Sequence, residues 1–191
     1  MSTAIMMERI AESSPRLKAR IAGALSLLSL LAAVFGEFFV RRMEFAGNLI
    51  AASGMVAVTL LIFEILKPVN QDLSLLAAFS NLVGLSFGVL RWNPRGIDMT
   101  VVLGGFSCLL IGYLIFRSTF LPRTLGLLMA FAGLSWLTYL SPLLAVYLSP
   151  YNLALGILGQ ESVMLWLLVF GVNEQRWREQ AGAAGQWRSL R

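Results

Sequence analysis

Of ten acidic side chains in 191 residues, only Glu161 falls well inside a long apolar run; Glu37 and Glu64 lie within a turn of the ends of theirs. Glu161 stands about eight positions into the run Leu153 to Val172, roughly 12 Å deep at about 1.5 Å per residue. An ionised carboxylate at that depth of a bilayer costs on the order of 3 kcal/mol, so the group should face a bundle interior, paired or protonated. Gln160 adds an amide beside it. Two uses suit such a pair: handling a proton or a small ligand, or hydrogen bonding to a neighbouring helix.

Other polar residues are candidates for the same site. Ser135, Thr138 and Tyr139 make the outer half of the fifth apolar run unusually polar, although hydroxyls also serve backbone carbonyls. Asn81 adjoins Ser80, Gly84 and Gly88, a small-residue stripe at which an asparagine bonds across a helix contact. Gly104, Cys108 and Gly112 form a similar stripe, with the cysteine a small apolar filler. Glu37 lies four residues before Arg41, and Glu64 three before Lys67, spacings that suit ion pairs at the two ends of the helices. Ser26, Ser29, Ala33 and Gly36 line a narrow face leading to Glu37.

What is missing is as informative. The chain has no histidine and one cysteine. That removes a disulfide framework, zinc ribbons, histidine-ligated haem and any His-based catalytic pair. No second deep acid stands ready to form a dyad, so an intramembrane enzyme is the least supported class and no cofactor or metal is expected.

These residues sit in a chain that is 58% hydrophobic and 13% charged, with mean hydropathy +0.76. A soluble domain carries about 25% charged residues, so the excess apolar surface must face lipid. Six runs approach the about 20 apolar residues a spanning helix needs. They are Ile21 to Val40, Phe45 to Leu66, Leu73 to Leu90, Met99 to Phe116, Thr124 to about Leu140 with a kinked or interfacial turn past Pro142, and Leu153 to Val172. The first is read as an uncleaved helix, because a 20-residue charged leader precedes it and no A-x-A site follows.

The expected fold is all-α, a polytopic membrane protein built as a compact bundle of six transmembrane helices over residues 21–172. Alternate sides hold 11 and 4 Lys and Arg residues, which places both tails, 1–20 and 173–191, in the cytoplasm. The net charge of +5 comes from single or paired basic residues flanking apolar runs, so lipid and not nucleic acid is the expected partner. In the C-terminal tail Trp177 and Trp187 flank Ala181 to Gly185, the pattern of a frayed interfacial segment.

Residues 61–79 and 114–131 share a Leu-Ile-Phe start, a loop proline (Pro68, Pro122) and a leucine-rich end, as a duplicated hairpin would. Leucine-rich helices match readily by chance, and chance is the favoured explanation.

Several segments together resemble a known family. They are Glu37-Phe38-Phe39-Val40-Arg41, Leu66-Lys67-Pro68-Val69-Asn70, Leu75-Leu76-Ala77-Ala78-Phe79, Gly112 to Ser118 with Phe120-Leu121-Pro122, and Leu165-Trp166-Leu167-Leu168 with Gly171-Val172-Asn173. Over roughly residues 17–173 the chain resembles the bacterial integral-membrane family called domain of unknown function 4386. The resemblance implies a multi-pass protein of the bacterial plasma membrane and no particular activity. It also implies arginine in many members where this chain has Asn81, so a charge pair between that position and Glu161 would be missing here.

Two functions follow as expectations. In the first, Glu161, Gln160, Tyr139, Ser135, Thr138, Glu37 and Asn81 serve a small-molecule ligand in a pocket in the outer half of the bundle. Glu161 and Tyr139 would line one outward-opening cavity with Glu37 near its mouth. In the alternative, the protein is structural or regulatory, has no ligand, and uses Glu161 for helix packing.

Overall fold

The computed structural model describes residues 14–39 and 44–189, with side chains over 14–32, 49–94 and 96–184. Eight α-helices lie among the described residues: α1 Pro15–Phe39, α2 Glu44–Leu66, α3 Gln71–Leu90, α4 Met99–Arg117, α5 Arg123–Leu137, α6 Pro142–Leu148, α7 Tyr151–Val169 and α8 Glu174–Ser189. No strand occurs among them. Four helical segments are long and apolar enough to cross a membrane: Leu49–Leu66, Gln71–Leu90, Met99–Arg117 and Tyr151–Val169.

Local chemistry sets the helix ends. Asn70 accepts a bond from the Leu73 amide at 3.0 Å and starts α3, and Asp98 accepts from Thr100 and Val101 at 3.1 and 3.2 Å and starts α4. Pro68 follows α2, where no amide hydrogen is available to extend the helix. Gly171, at φ +69, turns the chain after α7 in a conformation that glycine takes without strain. The polar C-terminal end of the fifth run is broken as expected: α5 stops at Leu137, a 3-10 turn covers Thr138–Leu140, and Pro142 opens the short α6.

Six helices, α1 to α5 and α7, form a ring. α1 packs on α2, α2 on α3, α3 on α4, α4 on α5, α5 on α7, and α7 closes back onto α1. The tightest seam joins α4 and α5. A β-carbon added at Gly112 would stand 2.8 Å from the Gly126 carbonyl oxygen, and one at Gly133 would stand 2.8 Å from that of Gly105. Glycine pairs spaced seven residues apart on each helix thus bring the two backbones together. At the α1–α7 seam a β-carbon on Gly23 would lie 2.5 Å from the Met164 carbonyl oxygen. Gly84 and Gly88 pack within the chain, against Leu103 and Thr100 of α4.

The dry core gathers at one end of the ring, where Ile65, Leu66, Leu114, Ile115, Leu125, Val163 and Leu167 are buried. The C-terminal tail differs from the frayed segment read in the sequence. It forms α8 and returns to the bundle, where Trp177 donates from Nε1 to the Ile65 carbonyl at 2.9 Å and packs on the core. Gln180 accepts from the Thr119 amide and hydroxyl at 3.1 and 3.0 Å. The last carbonyls of α2 have no intrahelical donor, and the indole supplies one. Trp187 lies outside the described side chains.

Glu64 is also repartnered. Its carboxylate lies 3.8 Å from Lys18 of α1, while Lys67 sits over the Phe63 ring at 5.8 Å.

Candidate functional site

A cavity of about 210 Å³ occupies the ring between α2, α3 and α4, with α5 and α7 behind. It exists because α2 and α4, on either side of α3, touch only marginally. Its wall runs from Thr100, in the first turn of α4, to Leu66 and Ser74 at the opposite end. The wall therefore extends well beyond the outer half expected from the sequence. Met55, Ile62, Leu85, Ile111, Met129 and Met164 give it an apolar lining.

The polar groups in the wall are neutral. Asn81 Nδ2 donates to Thr59 Oγ1 at 2.7 Å, and that hydroxyl donates to the Met55 carbonyl at 2.7 Å. Ser107 and Ser74 are spent on the Ala77 and Phe63 carbonyls, at 2.9 and 3.2 Å. Gln160 receives only a long contact from the Cys108 thiol, at 3.8 Å. Among the described residues, the Asn81 oxygen and the Gln160 amide nitrogen thus make no hydrogen bond within the protein. The wall contains no charged side chain.

Of the seven residues singled out in the sequence, the structure brings two, Asn81 and Gln160, to this cavity. Glu161 is absent from the wall. Adjacent helical residues point about 100° apart, so the face of α7 that turns Gln160 to the cavity carries Glu161 off it. Its Oε2 is buried without a hydrogen-bond partner. The single outward cavity joining Glu161 and Tyr139 is therefore replaced by one that takes Gln160 and turns Glu161 away.

The hydroxyls of the fifth run divide similarly. Thr138 donates to the Ser135 carbonyl at 2.7 Å and accepts from Asn152 at 3.1 Å. Asn152, buried at the start of α7, also donates to the Ala145 carbonyl at 3.2 Å, so the cluster ties α5, α6 and α7 together. Ser135 is buried, and the Tyr139 ring packs on Trp136 at 6.1 Å. None of Ser135, Thr138 and Tyr139 belongs to the cavity wall. Glu37 falls in α1, but its side chain lies outside the described residues, as do those of Ala33 and Gly36. Ser29, on the same narrow face, abuts Gly54 of α2.

Sequence reasoning missed Thr59, Asn152 and Trp136. A threonine inside a helix reads as bonded to its own backbone, which Thr59 is, and nothing local marks its second bond to Asn81.

Residues 85–171, from the middle of α3 through α7, match the family model of a domain of unknown function, DUF4386. Over these residues the chain is similar to the DUF4386 family. The match takes in the α4–α5 seam and the segments Gly112 to Ser118, Phe120 to Pro122 and Leu165 to Leu168 that carried the resemblance. The segments around Glu37, Lys67 and Leu75 lie before it. Searches of curated proteins and of solved structures return no match.

Proposed function

We propose that this chain is a six-span protein of the bacterial plasma membrane that binds a small, uncharged, mostly apolar molecule in its central cavity. The two helices added to the four apolar ones are α1 and α5. The 25 residues of α1 extend about 37 Å, and the 15 residues of α5 with the following 3-10 turn extend about 28 Å, comparable with the about 30 Å of a hydrocarbon core. Each also stands between two neighbours in the ring. The 11-to-4 division of basic residues favours cytoplasmic termini.

The observation that carries the ligand reading is the pairing of two under-used amides, Asn81 and Gln160, with an otherwise apolar space. Few polar groups in a mostly apolar lining are what a small-molecule site needs to orient its ligand. A cavity of about 150 Å³ holds benzene, so 210 Å³ admits a molecule of about ten non-hydrogen atoms. A charged ligand would be buried without a counter-charge, which strongly disfavours it.

The test is a thermal-shift screen of the purified protein against uncharged amphiphiles of that size and their charged analogues. A neutral compound should stabilise the wild type and Glu161→Gln equally and lose its effect on Gln160→Leu. If no compound separates the wild type from Gln160→Leu, the cavity is not a binding site. The alternative, a structural membrane protein, draws its support from Glu161, whose carboxyl is buried outside the cavity wall.

A further inference from the structure

A second cavity, about 620 Å³, opens at the end of the ring where α1 and α8 begin and α7 finishes. Its wall takes Arg16 from α1, Thr119 to Pro122 from the α4–α5 connection, Trp166 and Phe170 from α7, and Asn173, Glu174 and Arg176 from the approach to α8. Arg176 spends one guanidinium nitrogen on the Thr119 carbonyl, at 3.3 Å. Arg16 is exposed and takes no hydrogen-bond or ion-pair partner among the described residues. Glu174 is the one acid in the wall, and its carboxylate has a counter-charge of its own in Arg178 at 3.8 Å. The wall therefore offers two guanidiniums to an anion.

The rim has a different character. Trp166 and Phe170 pack with their rings tilted and centroids 4.4 Å apart, and Phe170 is 57% exposed. From them an exposed apolar stripe, Val169, Leu165, Leu158 and Leu155, runs along α7. An ionic recess thus continues directly into an apolar track.

We infer that this recess holds the phosphate headgroup of an anionic phospholipid, with an acyl chain lying along the α7 stripe. Guanidinium groups suit phosphate because they present several donors in a fixed plane. Basic pockets at a helix end beside the bilayer are placed to take such headgroups. A soluble phosphate compound would use the arginines and leave the stripe idle, whereas a lipid uses both.

Full-length protein in detergent is melted with phosphatidylglycerol, with phosphatidylcholine of the same chains, and with glycerol phosphate alone. Phosphatidylglycerol should raise the melting temperature more than phosphatidylcholine, and about 0.5 M salt should narrow the gap. Arg16→Gln should require about tenfold more phosphatidylglycerol for the same shift. Arg16 is exposed, and Lys67→Gln, outside the wall, controls for the loss of a positive charge. Native mass spectrometry of the wild type in mixed micelles should find phosphatidylglycerol retained in preference. Equal responses to the two lipids, or an unaltered response in Arg16→Gln, overturn the proposal. Glycerol phosphate matching the lipid would replace it with a soluble ligand. The central cavity is separate, so its response to neutral compounds should survive Arg16→Gln.

Discussion

The two faces of α4 do opposite things with the same residue type. On one, Gly105 and Gly112 press against Gly133 and Gly126 of α5, so closely that an added β-carbon would strike backbone at 3.0 Å or less. On the other, Gly104 and Cys108 look into the central cavity, and a β-carbon on Gly104 would meet nothing nearer than the Asn81 oxygen at 4.0 Å. Gly104 and Gly105 are neighbours in sequence, about 100° apart around the helix. Small residues therefore bring helices together where another small residue faces them, and leave space where none does. A bundle with a hollow needs both.

The largest expected effect is on the tight face. Gly112→Leu would drive a side chain into the Gly126 carbonyl and the Ala130 backbone, neither of which can move without separating α4 from α5. Overpacking typically costs about 1–3 kcal/mol and more where the backbone must shift, so little folded protein is expected. Size-exclusion chromatography of the solubilised variant reads this directly; a monodisperse, wild-type-like peak would show that the seam is not tight.

A middle-sized effect should follow at the end of the bundle where α5 finishes and α7 begins, where polar groups hold helices together outside the cavity wall. Asn152→Leu would strand the Ala145 carbonyl and remove a donor from Thr138. Leaving such groups unpaired costs about 1–3 kcal/mol, which thermal unfolding would detect as a clear fall in melting temperature. An unchanged melting temperature would mean that folding does not need this cluster.

Much of this was legible in the sequence, and what was not shares one cause. The apolar runs located the six ring helices, and the broken end of the fifth was visible in Pro142. Rotation about each helix was not visible. Gly104, Cys108 and Gly112 read as one stripe because they are spaced by four, yet the drift of about 40° per step puts Gly112 on the α5 seam and the other two on the cavity. Gln160 and Glu161 read as a unit because they are adjacent, and the helix separates them. The C-terminal tail looked frayed and interfacial because Trp177 and Trp187 flank the small residues Ala181 to Gly185. The carbonyl that anchors Trp177 belongs to Ile65, 112 residues away. The suspected duplication has the same weakness. α4 and α5 join through paired glycines, whereas α2 and α3 join through the Asn81–Thr59 and Ser74–Phe63 bonds, so similar leucine patterns accompany different seams.

The smallest effect on stability should come from the open face, and it separates the two faces most cleanly. Gly104→Leu places an apolar side chain in a space of about 210 Å³, opposite a residue 4.0 Å from where its β-carbon would be. Leucine favours the helix over glycine by up to about 1 kcal/mol, and the new side chain gains contacts with the apolar wall. The melting temperature should therefore stay level or rise, in contrast to Gly112→Leu eight positions away. The same leucine would occupy the volume proposed for the ligand and stand against the Asn81 oxygen. Any neutral compound that stabilises the wild type should accordingly lose its effect on this variant while the protein remains folded. A variant that still responds would place the binding site elsewhere in the molecule. One that unfolds would show that α4 has two tight faces and that the ring has no room at its centre.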